Sequence, residues 1–357
     1  MSREAIYYWK CDRPSAFTTP PGRDRARIAR QLLAALRDRL DDTTIELTPF
    51  DAPGNHLAWC FRHEGGERTS FVRVEDGPEG DDHLSVESYL LDAVRQVGVP
   101  TPRPIAVDTS RSVTPFAWQA IEWIDDPSLD HRHRAGTLDL PAILGQLGEM
   151  LGSLRQVSVT GFGPFRPEAL QEEVALQGHH AHYRDYFFLN LDQHLDGLVR
   201  GEFLKVEMRD RIFDVMEECQ DFLTGFRPSL VHKDTALWNL LGKPDQITAM
   251  IDWDDAIGGD PVDDLALIGC FFPRDQVDLA VEGYTRVAPL GDEFEVRYAL
   301  HLLRNLIYKA LIRLRSGIFD LAGASFLIAP GTTGQSLRME TMQRIENALA
   351  QLEAAIC

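Results

Sequence analysis

The spacing of apolar and polar residues changes character near residue 124. Between residues 23 and 40, Ile28, Leu32, Leu33, Leu36 and Leu40 recur near one face with arginines opposite, which predicts an amphipathic helix. His56–Phe61 and Thr69–Val74 are short β-branched or aromatic runs around the turn-rich Glu64-Gly-Gly-Glu67, the pattern of a hairpin. A second helix is predicted over Ser85–Val97, closed by Gly98 and by Pro100, Pro102 and Pro104. Ile105–Val107 and Pro115–Ile124 read as two more strands. After Asp125-Asp-Pro-Ser128 the period becomes helical. Leu140, Leu144, Leu147, Leu151 and Leu154 form one stripe, opened by Asp139 and Pro141. Further helices are predicted near 202–224, 275–286, 292–315 and 337–354. A small β-rich part followed by a larger helical part predicts a two-lobed α+β fold, with residues 1–124 as N-lobe plus extension and 125–357 as C-lobe.

Composition narrows the function. With 357 residues and 44% hydrophobic content the chain is long enough for a substantial core, and 18 Phe, 6 Trp and 8 Tyr exclude a disordered acidic tail. The net charge of −19 argues against a nucleic-acid partner, which calls for a basic surface. That charge is uneven: 15 Lys/Arg stand against 19 Asp/Glu in residues 1–124, and 21 against 36 in the rest. The longest uncharged apolar stretch, Leu265–Phe272, is too short to span a bilayer, so no membrane partner is expected. Met1–Lys10 shows no apolar signal core, and the five cysteines form no CxxC pair. A cytoplasmic protein, monomer or homodimer, is the expectation.

The chemistry is concentrated in residues 230–266, LVHKDTALWNLLGKPDQITAMIDWDDAIGGDPVDDLA. Leu240-Leu241 and Ile247–Ile251 flank a polar Gly-Lys-Pro-Asp turn, which predicts a hairpin with Asp234 and Asn239 at its entrance and Asp252 at its exit. Pairing the strands brings Asn239 beside Asp252. An amide oxygen and a carboxylate make a hard, oxygen-only set suited to Mg²⁺, which takes few protein ligands and completes its shell with water and phosphate oxygens. Asp234 is left free to hold a hydroxyl proton. The arrangement suits phosphoryl transfer.

The segment resembles the aminoglycoside phosphotransferase/choline kinase group of small-molecule kinases. Its His-x-Asp-x4-Asn pattern stands here as His232, Asp234 and Asn239. Its second and third motifs stand as Ile251-Asp-Trp-Asp-Asp-Ala256 and Gly259-Asp-Pro-Val-Asp-Asp-Leu-Ala266. Three linked motifs in register are specific where a lone His-x-Asp is not. The resemblance extends to Phe71-Val-Arg-Val74, Ser85-Val-Glu-Ser88 and Gly98-Val-Pro-Thr-Pro102, and Val159–Phe165 resembles a turn of hygromycin-type phosphotransferases. It covers roughly residues 50–350 and leaves residues 1–22, with Tyr7-Tyr-Trp-Lys10, unplaced.

The resemblance implies a protein-kinase-like two-lobed fold and ATP-dependent, Mg²⁺-dependent phosphorylation of a small-molecule hydroxyl: an aminoglycoside, amino sugar, sugar or related metabolite. It implies Asp234 as the catalytic residue and Asn239 and Asp252 as metal ligands, with His232 and Asp264 bracing the loop. Arg73, held by Glu87, would neutralise nucleotide phosphates; Arg replaces the Lys of protein kinases here, and guanidinium binds phosphate well. Gly54 and Asn55 are either a nucleotide loop or a plain turn, and Glu122 and Ile124 mark the adenine hinge. Acceptor candidates are Asp254, Asp255, Trp238, Asn305 and Tyr308, Trp238 equally able to pack under the loop. His179, His180, His182 and His194 lack a completing Cys or carboxylate, so a loop or pocket lining is preferred to a metal site. His131-Arg-His133 reads as a solvated turn. Two alternatives stay open: a catalytically silent nucleotide-binding module, and a protein kinase, which the Asp-Trp-Asp in place of Asp-Phe-Gly disfavours. No GxxxxGK[ST] occurs, which excludes a P-loop kinase.

Overall fold

The computed structural model describes residues 3–13, 24–51, 56–63, 68–75, 82–172, 175–321 and 334–356. The N-lobe is one antiparallel sheet of β1 (Glu46–Phe50), β2 (Leu57–His63), β3 (Arg68–Glu75), β4 (Pro104–Asp108) and β5 (Ala117–Glu122), in the order β1-β2-β3-β5-β4. Alternation puts Trp59 and Phe61, Val72 and Val74, and Trp118 and Ala120 on one face. Helix α2 (Arg25–Leu40) covers that face with Ile28, Leu32 and Leu36, so the predicted stripe is the one buried. Asp24 caps α2 by accepting the Arg27 N–H. Helix α3 (His83–Gln96) turns Val86, Leu90, Leu91 and Val94 into the larger core of the second lobe, which joins the lobes through apolar packing.

In that second lobe the Leu140–Ser153 helix starts at the predicted Asp139 cap and crosses the Arg274–Val287 helix very closely. A Cβ on Gly148 would lie 1.9 Å from the Ala280 carbonyl oxygen, and one on Gly283 would lie 2.1 Å from that of Gly145. Only glycine permits this crossing. The Phe294–Arg315 helix is buried over most of its length. Besides Leu300, Leu303, Leu306 and Ile307 it buries a polar stripe, Arg297, His301, Asn305 and Lys309, at i, i+4 spacing. A buried polar stripe requires partners, and they are the acidic residues of the 230–266 segment.

Three features depart from expectation. The region after residue 125 holds a second sheet, of Val159–Thr160, Leu176–His180, Phe162–Phe165, Ile257–Gly259 and Ser229–Val231 in that spatial order. It was hidden because its strands are two to five residues long and pair across large gaps, Ile257 with both Val231 and Pro164. His131-Arg-His133 is part of a helix, Leu129–Arg134, whose N-terminus Ser128 caps, rather than a turn. Residues 3–13 do not extend the N-lobe: Tyr7, Tyr8 and Cys11 belong to the core of the second lobe. The Glu64–Glu67 turn lies outside the described residues, although the strands it joins pair as a hairpin. Among the described residues no helix is long and apolar enough to cross a membrane. Cys11, Cys60, Cys219 and Cys270 are free thiols.

Candidate active site

The second sheet fixes both ends of the site. Ser229–Val231 delivers the chain to His232, Lys233 and Asp234, while Ile257–Gly259 receives it after Asp252–Asp255. Lys233 and Asp252 both adopt left-handed backbone, at φ 70° and 65°. Such conformations persist in non-glycine residues only where their surroundings hold them. The holding groups are visible. The Asp264 carboxylate accepts the N–H of His232 at 2.7 Å and of Lys233 at 2.9 Å. Burial raises its carboxyl to about 7.

His232 ties the Asp234 loop to the Ile251–Asp252 side. Its Nδ1 accepts the Asp234 N–H at 3.2 Å, which leaves the proton on Nε2 to donate to the Ile251 carbonyl at 3.0 Å. Burial lowers the ring to about 4, so it is neutral at physiological pH. Asn239 precedes the Leu240–Lys243 strand, which pairs with Gln246–Met250, and its carbonyl accepts the Ile251 N–H at 2.9 Å. That bond sets Asn239 next to Asp252. The Asn239 amide nitrogen donates to the Asp234 carbonyl and to Asp234 Oδ2, both at 2.9 Å, so its oxygen remains available. The Asp252 side chain is half exposed. One amide oxygen and one accessible carboxylate fit a Mg²⁺ ion shared with phosphate.

Asp234 itself is sheltered. Its Oδ1 accepts from Lys309 Nζ at 2.8 Å; its Oδ2 accepts from Asn239 and, at 3.4 Å, from Trp238 Nε1. Burial alone would raise this carboxyl, but Lys309 and Lys10 outweigh it and hold it below the usual carboxylate range. Trp238 packs edge-on against Phe271 while its ring nitrogen points to Asp234, so it both packs under the loop and reaches the site.

The N-lobe contributes Arg73 from β3, ion-paired to Glu87 of α3. Arg73 Nε also donates to Gln119 Oε1 at 3.1 Å, and its Nη1 lies 3.8 Å from Asp252. Glu87 accepts the Trp253 N–H at 3.3 Å, which links the Arg73–Glu87 pair to the residue after Asp252. Glu122 closes β5 and bonds Arg103 through its carboxylate, while Ile124 lies half-buried two residues on. Gly54 and Asn55 lie outside the described residues.

The acceptor candidates separate. Asp254 is taken by Arg3, whose Nη2 is 3.2 Å from its Oδ1, and by His83 Nδ1 at 3.3 Å. Asp255 is raised to about 7, by burial and then by Asp254. Asn305 is not a pocket residue: it is fully buried, donating to Asp263 at 2.9 Å and accepting from Lys233. Tyr308 is fully buried too, covered by the stacked Tyr8 ring at 4.5 Å. His194 is held between Asp12, at 2.7 Å, and Arg304, at 3.0 Å. His179 and His180 lie half-buried on the Leu176–His180 strand, and among the described residues no three His, Cys, Asp or Glu converge as a metal site. Lys309 and the Arg3–Asp12 segment were not anticipated. The only signal was compositional: basic residues along the 292–315 helix, and Tyr7-Tyr-Trp9 in an otherwise polar terminus.

A β-rich lobe bearing an Arg–Glu pair and a helical lobe bearing an Asp loop ahead of an Asn/Asp hairpin define a kinase-like fold of the small-molecule class. The chain matches the phosphotransferase enzyme family APH over residues 54–298 and belongs to that family. It is 28% identical to hygromycin-B 4-O-kinase of Escherichia coli over 144 residues, a region spanning 38% of this chain and 38% of that enzyme. Among solved structures it shares its fold with an aminoglycoside phosphotransferase, APH(4)-Ia, in complex with AMP-PNP and hygromycin B. That likeness has a TM-score of 0.62 at 18% identity and covers 90% of this chain and 98% of the other. Spectinomycin phosphotransferase APH(9)-Ia, with ADP and spectinomycin, matches at a TM-score of 0.50 and 16% identity, over 91% and 97% of the two chains.

Proposed function

We propose that the protein is an ATP-dependent O-phosphotransferase that moves the γ-phosphate to a hydroxyl of a small molecule, in the cytoplasm and with no nucleic-acid or membrane partner. One observation supports this reading: Asn239 bonds Asp234, Arg73 pairs with Glu87 and lies 3.8 Å from Asp252, and Glu87 accepts the Trp253 N–H, so these three groups lie together where the lobes meet. Relatives captured with AMP-PNP or ADP support ATP as the donor.

The roles follow from the geometry. Asp234 is kept ionised by its cations, which makes it a weak base and a good acceptor for a hydroxyl hydrogen bond. It therefore orients the acceptor, and proton loss follows late, as a loose phosphoryl transition state allows. Arg73, fixed by Glu87 and Gln119, neutralises phosphate oxygens without having to reorganise. Asn239 and Asp252 would hold Mg²⁺, which when bound draws charge from the phosphate oxygens. His232 and Asp264 act through the loop alone and hold Asp234 in register.

The test is transfer of label from γ-labelled ATP to a panel of aminoglycosides, amino sugars, sugars and polyols. Asp234→Asn is expected to lower kcat at least about a hundredfold with ATP affinity retained. ATP binding by the wild type without turnover of any acceptor, or of water, would favour the silent module instead.

A further inference from the structure

The Arg3–Asp12 segment has no part in the roles above, yet it bears on the Asp234 loop through one side chain. Tyr7 stacks on Tyr186 at 5.0 Å, and the Arg304 guanidinium lies 3.5 Å from the centre of the Tyr7 ring. The Tyr186 hydroxyl donates to the Tyr7 carbonyl at 2.9 Å. Asp12, which closes the short helix α1 (Trp9–Asp12), folds back to accept the N–H of Tyr7 and of Tyr8, at 2.7 and 3.0 Å, and is itself held by His194. Cys11 Sγ donates to the Tyr308 carbonyl at 3.5 Å, and Arg315 donates to the Cys11 carbonyl. The ring, the carbonyl and the amide of Tyr7 are all fixed before its hydroxyl makes any contact.

That hydroxyl meets Lys233, the residue before Asp234. The Lys233 side chain is 1% exposed, and its Nζ donates to Asp263 Oδ2 at 2.6 Å, to the Tyr7 hydroxyl at 3.1 Å and to Asn305 Oδ1 at 3.2 Å. An ammonium has three N–H groups, so this set of acceptors is complete with none to spare. The acceptors come from three distant parts of the chain: the amino-terminal segment, the Val262–Ile268 helix and the Phe294–Arg315 helix. Two of them also hold each other, since Asn305 donates to Asp263 Oδ1 at 2.9 Å, and Tyr183 donates to Asp263 Oδ2 at 3.3 Å.

The backbone explains why such a hold is needed. Lys233 sits at φ 70°, a conformation that costs any residue with a Cβ. Its N–H is fixed by Asp264, and the ammonium is the second hold on the same residue. Lys233 and Asp234 share a peptide unit. A return of Lys233 to ordinary backbone would swing the Asp234 carboxylate away from Asn239 and Lys309.

We propose that Tyr7 and Lys233 are positioning residues for Asp234. The Tyr7 hydroxyl completes the ammonium's shell, the ammonium keeps Lys233 left-handed, and that turn aims the Asp234 carboxylate at the acceptor hydroxyl. The inference rests on the phosphotransferase reading and makes the amino-terminal segment act on transfer through the loop. Misplacing a reacting group by about 1 Å can cost about a hundredfold in rate, so a partial loosening of the loop is expected to cost about tenfold.

The experiment compares Tyr7→Phe with Tyr186→Phe. Both keep the stacked rings, and each removes one buried hydroxyl, the first from Lys233 and the second from the Tyr7 carbonyl, so both thermal midpoints should fall. Steady-state ADP release from ATP and Mg²⁺ is measured with water as the acceptor. Hydrogen exchange at the His232 and Lys233 amides is read by mass spectrometry without nucleotide. Expected in Tyr7→Phe are a kcat about tenfold lower, an unchanged KM for ATP and about tenfold faster exchange at the two amides, while Tyr186→Phe stays within about twofold of wild type in all three. An unchanged kcat in Tyr7→Phe overturns the proposal, as do equal losses in the two variants, which would mark a general loosening of the segment. A wild type that releases no ADP sinks the phosphotransferase reading instead. The exchange comparison needs no turnover, and it still decides whether Tyr7 holds the loop.

Discussion

Replacing Lys309 by Met should show how far one buried cation controls Asp234. The substitution keeps a stem of similar length and removes the ammonium, whose Nζ also lies 5.7 Å from the Tyr8 ring, 5.9 Å from the Trp238 ring and 5.6 Å from the Phe271 ring. At 2.8 Å and an effective dielectric of about 20 the attraction is about 6 kcal/mol before desolvation is set against it. Both side chains are about one-tenth exposed, and removing one partner of such a pair costs about 3–5 kcal/mol because the other charge stays buried. Asn239 and Trp238 still solvate Asp234, so the lower value, about 3 kcal/mol at pH 8, is expected. The pH dependence carries the sign. In the wild type the folded-state pKa lies below the ordinary 3.8, so the pair's contribution persists from pH 8 to pH 5 and is lost only as pH falls through that depressed value. Without Lys309, burial pushes the carboxyl upward, and protonation in mild acid relieves the stranded charge. The stability gap between the proteins, measured by urea denaturation at constant slope, should therefore be largest at pH 8 and smaller at pH 5. A gap below about 1 kcal/mol at pH 8, or one that does not change with pH, would refute this account of the pair.

His232→Asn removes a ring held neutral at about 4 against an ordinary 6.5. Because the unfolded chain takes up that proton first, wild-type stability should fall between pH 6.5 and 4, and the variant should lose that part of the slope in denaturation measured across the window. Gly148→Ala forces a methyl group to within 1.9 Å of the Ala280 carbonyl oxygen and should cost about 3 kcal/mol, near the upper end for overpacking. Its urea midpoint should drop; an unchanged midpoint would mean the two helices do not cross as described.

What could be read from the chain follows from the range of the interactions. The hairpin carrying Asn239 and Asp252 closes over a few residues, so alternation and a polar turn were enough to place it. The β2–β3 and β4–β5 pairs were legible for the same reason, as was the Asp139 cap of the leucine stripe, whereas β1 was missed and the β3–β5 pairing, Phe71 with Ile121, is not local. Lys309 meets Asp234 across 75 residues, and Arg3 meets Asp254 across 251, separations at which no periodicity reports a contact. Asn305 and Tyr308 show the converse. They lie on the helix that borders the site, but Asn305 turns to Asp263 and Tyr308 lies beneath Tyr8. Helical spacing identifies a face without saying what covers it.

The anchoring of the Arg3–Asp12 segment also orders events during synthesis. Its partners Tyr186, Arg304, Tyr308 and Arg315 leave the ribosome long after it does, the Cys11 contacts spanning 297 and 304 positions. The earliest aromatic residues must wait, unsheltered, until the Phe294–Arg315 helix is made. Nascent chains that stop short of that helix would hold the N-lobe and the Asp234 loop yet leave the Arg3–Asp12 segment without the partners that bury it.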